Sequence, residues 1–70
     1  MKAYVLINVR SGKTRDVVEK VRHIEGVKNV DACWGRPDVF AFLDSNALAE
    51  TVLTTIQAVD GVESTDTHRH

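Results

Sequence analysis

Ala3, Val5, Ile7 and Val9 alternate with Tyr4, Leu6 and Asn8. A period of two residues predicts a strand, here with one wholly apolar face and one amphipathic face. The period then changes: Val17, Val18, Val21 and Ile24 recur at helical spacing, with Glu19, Lys20, Arg22 and His23 left for the outer face. Gly26 is placed to end this helix. Val27 to Trp34 reads as a second strand, Gly35-Arg36-Pro37-Asp38 as a turn, and Val39 to Leu43 as a third strand. Asp44 or Ser45 can cap a second helix carried by Leu48, Val52, Leu53, Ile56 and Val59, which Gly61 stops. Val62 to about His68 is a last, weaker strand.

An internal echo organises these elements. Shifting the chain by 35 residues, half of its 70, lays Val17, Val18, Val21, Ile24, Glu25, Gly26 and Val27 over Val52, Leu53, Ile56, Val59, Asp60, Gly61 and Val62. Each half is then a split strand-helix-strand unit. Two such units interleave into an α+β, ferredoxin-like βαββαβ sandwich, a four-stranded antiparallel sheet with both helices on one face. No linker, charge run or low-complexity segment divides the chain, so residues 1–70 are expected to form a single domain.

One face of such a sheet is uncovered. The same shift sets Val5 and Ile7 over Phe40 and Phe42, which predicts that these four lie under the helices. The opposite face would then carry Tyr4, Leu6, Val39, Ala41 and Leu43, an apolar patch of the kind that marks an interface. A face-to-face homodimer is expected. Dimerisation would also help a chain that, at this length, buries only about 60% of its unfolded surface.

Composition narrows the function. Apolar residues at 43% and charged residues at 27% are globular values, and a net charge of −1 provides no field for nucleic acid or an anionic membrane. No apolar run is long enough to span a bilayer and the start of the chain does not read as a signal peptide, so a cytoplasmic protein is expected. Cys33 is the single cysteine, which excludes an internal disulfide. Beside Trp34 it reads as a small buried or half-buried filler.

Three stretches carry candidate chemistry. Gly12-Lys13-Thr14 ends like a phosphate-binding loop, but the position five residues before that glycine is Ile7, inside the first strand. Gly12 therefore reads as a turn residue, with Thr14 or Ser11 capping the helix. Phe40 and Phe42 resemble the third-strand aromatics of RNA-binding modules, yet their expected position under the helices favours core packing over stacking on bases. Paired His68 and His70 at the chain end do not make a metal site by themselves, and none is expected. An acylphosphatase-like enzyme would need an asparagine on the third strand, which is absent.

Taken together, "AYVLINVRSGKTRDVVEKV", "IEGVKNVDACWGRPDVFAFLD" and "VDGVESTDT" resemble the effector-binding domain of the Lrp/AsnC (feast/famine) transcription regulators over essentially the whole chain. The most specific parts are Gly35 with Asp38, and Gly61-Val62 with Thr65 and Thr67. The resemblance implies a regulatory amino-acid sensor, not an enzyme and with no cofactor, that assembles as dimers and then as rings such as octamers. It covers the module without the helix-turn-helix that precedes it in full-length members, so co-assembly with a full-length regulator is the implied route to transcription, with no direct contact to nucleic acid. The ligand would lie between dimers, against Gly35, Arg36, Pro37 and Asp38 and the strand of Thr65 and Thr67. Gly35 would admit backbone amides to a carboxylate, Asp38 would meet the ammonium end, and the threonines would offer hydroxyls. Gly35 can equally serve a turn alone, with Asp38 bonding nearby amides. Pro37 stands where the family often has an aromatic, stiffening the turn and removing one amide donor. The rival reading is an RNA-binding or purely structural module of the same fold.

Overall fold

The strands run Lys2–Val9 (β1), Val27–Ala32 (β2), Val39–Asp44 (β3) and Val62–Arg69 (β4), and the helices Thr14–Arg22 (α1) and Ala49–Gln57 (α2). They belong to a computed structural model that describes residues 2–44 and 49–69. Ser45, Leu48 and His70, named above as a cap, a helix-core residue and a metal candidate, lie outside the described residues. The four strands form one antiparallel sheet in the order β2-β3-β1-β4, the βαββαβ topology expected from the echo. Among the described residues no helix is long and apolar enough to cross a membrane.

The core is built from small branched side chains. Ala3, Val5, Ile7 and Val9 of β1 and Val39, Ala41 and Leu43 of β3 are buried with Val17 and Val21 of α1 and Val52 and Ile56 of α2. Both helices thus cover the same face, through the apolar stripes that their spacing predicts. The edge strands are polar along much of their length, with Lys28, Asn29 and Asp31 on β2 and Glu63, Ser64, Asp66 and His68 on β4 exposed. Charged edges discourage strand-to-strand association with another chain.

The sidedness of β3 corrects the sequence expectation. Val5 pairs with Ala41, Leu6 with Phe40 and Ile7 with Val39, and directly paired residues point to the same face. Val39, Ala41 and Leu43 are therefore under the helices, while Phe40 and Phe42 join Tyr4 and Leu6 on the open face. The 35-residue echo holds for the helices and the turns after them but fails in the first strand of each half. Val17 stands seven residues after Arg10, whereas Val52 stands eight after Asp44. One extra residue in the second connection changes the strand offset to 34, and a shift of one residue exchanges the faces of a strand. Backbone bonds confirm the offset: Asp44 N–H donates to Gly26 O (3.0 Å), as Arg10 N–H does to Gly61 O (2.7 Å).

Two local expectations also change. Lys13 is the N-cap residue of α1 and no side chain caps it, so neither Ser11 nor Thr14 has that role. β2 stops at Ala32, which leaves Cys33 and Trp34 in the loop, and Cys33 is exposed rather than a filler.

Gly61 sits tightly against the start of α1. Its φ is +101°, and a Cβ there would lie 2.8 Å from Lys13 Cβ and 3.1 Å from Val17 Cγ2. Both the backbone conformation and the close approach of α1 demand glycine. Gly61→Ala is expected to cost at least ~2 kcal/mol from backbone strain plus overpacking, lowering the melting temperature by about 8 °C or more. A variant that melts with the wild type would contradict this packing.

Candidate functional site

On the open face, the two central strands supply an apolar centre. The Tyr4 ring lies 5.4 Å from that of Phe40 and 5.2 Å from that of Phe42, tilted by 34° and 45°. Such separations lie in the favourable range for tilted aromatic pairs, each worth about 0.5–1.5 kcal/mol beyond the area buried. Leu6 lies beside them, opposite Phe40, and all four are only partly buried. The edge strands rim this centre with Asn29 and Asp31 on one side and Asp66 and His68 on the other, by register with Phe42, Phe40, Leu6 and Tyr4. His68 Nε2 is 3.0 Å from Asp66 Oδ2.

An apolar centre inside a polar rim is the anatomy of a protein interface. The same aromatics would suit base stacking, since the first and third strands both contribute to one face. The charge on the rim does not suit it. Asp31, Asp44 and Asp66 share that face by register, and carboxylates there repel the phosphates that supply most nucleic-acid affinity.

The candidate ligand residues fall into two groups. Gly35, Arg36, Pro37 and Asp38 form the loop between β2 and β3, which Cys33 N–H closes by donating to Asp38 O (2.8 Å). Gly35 has φ +89° with nothing within 4 Å of a Cβ position, so the turn conformation alone requires glycine. The Arg36–Pro37 peptide is cis. Asp38 is held at both ends: its N–H donates to Ile7 O (3.0 Å), and its Oδ2 accepts from Val9 N–H (2.7 Å) and Arg36 Nη1 (3.0 Å). Arg36 also donates to Val9 O (3.4 Å) and, through Nη2, to Glu63 Oε1 (3.3 Å).

Thr65 and Thr67 pair with Ile7 and Val5, which puts them on the helix side of β4. Gln57 Nε2 donates to Thr65 Oγ1 (3.1 Å). Among the described residues no hydrogen bond joins the threonines to the loop, although Arg36 reaches Glu63 two positions before Thr65. Asp38, with its side chain only 22% exposed, works as a clamp on the end of β1. Sequence reasoning missed two members of this network, Val9 and Glu63. Both act across 27 or more positions, and no local spacing announces them.

The basic residues of the phosphate-loop-like stretch have a different task. Arg10 Nη2 and Lys13 Nζ lie 3.2 and 3.5 Å from the carboxylate of Asp60. The hydrogen bond from Arg10, with the charges of Lys13 and Arg10, lowers the Asp60 pKa. Arg10 and Lys13 thus hold the turn before β4.

The Lrp/AsnC ligand binding domain profile matches residues 2–70, and the chain belongs to this family, a regulatory domain of transcription regulators rather than an enzyme family. Among solved structures, FFRP-DM1 superposes with a TM-score of 0.86 at 22% identity, over 99% of this chain and 96% of that one. TTHA0845 from Thermus thermophilus gives 0.78 at 26% identity, over 94% and 86%. The transcriptional regulator NMB0573 from Neisseria meningitidis, solved as a complex with L-Met, gives 0.72 at 24% identity; the match covers 94% of this chain but 46% of that protein. None of the curated proteins matches the chain.

Asp38→Ala removes a charge-assisted partner from the part-buried Val9 N–H and frees Arg36. A loss of about 1–3 kcal/mol in unfolding free energy is expected without any ligand present. Denaturant midpoints unchanged by the substitution would return Asp38 to a purely ligand-facing role.

Proposed function

We propose that this domain is an amino-acid effector sensor that pairs through its open sheet face and transmits binding through its state of assembly. The observation that carries the pairing is the cluster of Tyr4, Leu6, Phe40 and Phe42 on the sheet face opposite the helices. Full burial of one large apolar side chain contributes about 1.5–3 kcal/mol, so a second copy seated there would add several kcal/mol to a small domain. Tyr4 and Leu6 keep the interface role that the sequence assigned them; Phe40 and Phe42 take the places expected for Val39, Ala41 and Leu43.

The effector contacts are the loop Gly35 to Asp38 of one subunit together with threonines of another. A zwitterionic amino acid needs donors and acceptors that converge; no hydrogen bond joins Thr65 and Thr67 to the loop among the described residues, and a seam between subunits would supply the convergence. In that seam Arg36 offers its uncommitted guanidinium N–H groups to the carboxylate. Asp38 fixes Arg36 and the loop, and Pro37 limits the loop's freedom. The L-Met complex of the Neisseria regulator supports an amino acid as the class of effector. Binding across the seam favours one assembly over another by differential affinity. The assembly includes higher rings of dimers, and its output reaches transcription by co-assembly with a full-length regulator of the family.

Titration of the twenty amino acids, with melting temperature and particle size followed together, tests this. At a hundred times its dissociation constant a true effector adds about 2.7 kcal/mol, which raises the melting temperature by roughly 10 °C or more. At least one amino acid is expected to do so and to shift the particle size. Twenty amino acids without effect would remove effector sensing and leave a structural module.

A further inference from the structure

The sequence offers Asp38 to the ammonium end of an amino acid, but the structure commits that carboxylate elsewhere. Asp38 Oδ2 already accepts from Val9 N–H (2.7 Å) and Arg36 Nη1 (3.0 Å), and its side chain is only 22% exposed. A second carboxylate shares the same guanidinium. Glu63, at the start of β4, accepts from Arg36 Nη2 through Oε1 (3.3 Å), with its side chain 49% exposed. We propose that Glu63 is the ammonium-binding residue of the effector site and selects α-amino acids over carboxylic acids that lack the amino group.

Charge asks for a cation beside Glu63. Arg36 stands between the carboxylates of Asp38 and Glu63, so one positive charge meets two negative ones, and an ammonium restores the balance. Among the described residues Arg36 is the single partner of Glu63, whose Oε2 accepts nothing. Arg10 and Lys13 are engaged with Asp60 instead. A carboxylate accepts at both oxygens, so Oε2 can take an ammonium while Oε1 keeps Arg36 in place.

Backbone geometry singles out the same residue. The successive β1 residues Asn8 and Val9 pair with Ser64 and Val62, so the ladder skips Glu63. A bulge of this kind leaves one residue unpaired and re-aims its side chain, and bulges are over-represented beside functional sites. The arrangement also fits a zwitterion. Arg36 has five N–H donors, and its bonds to Asp38, Val9 and Glu63 use three. Free donors and a free acceptor thus lie side by side, joined by a 3.3 Å contact. An α-amino acid carries its carboxylate and its ammonium on one carbon and meets both groups at once, whereas an acid without the amino group meets Arg36 alone.

Glu63 has this role only within the effector reading proposed above, and titration calorimetry on wild type and Glu63→Gln separates the two. Glu63 is exposed, so glutamine there changes the melting temperature by no more than about 4 °C. The probes are the twenty amino acids and, for any that bind, the matching acid with hydrogen in place of the ammonium: acetate for glycine, propanoate for alanine, isovalerate for valine, succinate for aspartate. Wild type is expected to bind the amino acid at least about fivefold more tightly than the matching acid. Glu63→Gln is expected to lose that preference by weakening the amino acid alone, with the matching acid bound no less tightly than before. A Glu63 that only props the loop would weaken both probes together. That result overturns the inference, as does a Glu63→Gln variant that keeps the preference or a wild type without one; all three leave amino-acid sensing intact. A wild type that binds none of the twenty overturns both readings.

Discussion

The alternation of side chains along β1 and β3 is the constraint from which the rest follows. Val5, Ile7, Val39, Ala41 and Leu43 point toward the helices and are buried, so Tyr4, Leu6, Phe40 and Phe42 must point the other way. The core is thus made of small side chains, and the largest apolar groups of the sheet are kept for the surface. That distribution is costly for an isolated copy. It would become favourable in the proposed pairing, where a second copy covers the aromatics and the polar edge strands leave the centre of the face for contact.

The ends of β1 and the connections around it are tied by polar clamps. Asp38 grips the Val9 N–H and Arg36, and Arg36 reaches Glu63 at the start of β4. Arg10 and Lys13 grip Asp60, while the Arg10 N–H bonds Gly61 O. The loop that carries the proposed effector residues is therefore fixed to the sheet by groups that local sequence does not pair. Trp34 and Gly35 project beyond those clamps, which leaves the tip of the loop free to meet another molecule.

Element order, helix faces and the sheet topology were legible in the sequence, because periods of two and 3.6 residues survive in a single chain. The helical echo at 35 residues was real and located the Gly26 and Gly61 turns. Its extension into the strands misled, since one additional residue before α2 reverses the facing of β3 while leaving its composition unchanged. Val-Phe-Ala-Phe-Leu is apolar at every position and so carries no alternation to correct the error. Asp38 illustrates the other limit. The sequence marked it as important, but whether its carboxylate meets a ligand or a backbone amide depends on Val9, 29 positions away.

Small-angle scattering of wild type and Phe42→Asp at micromolar concentration measures the sheet-face contact most directly. A wild-type mass of at least twice 7.8 kDa, falling to 7.8 kDa when a carboxylate replaces the Phe42 ring, is the expected result. A wild type that scatters as a 7.8 kDa particle, with a radius of gyration near the 10.7 Å of the single chain, would show the aromatic face to be uncovered and contradict the pairing.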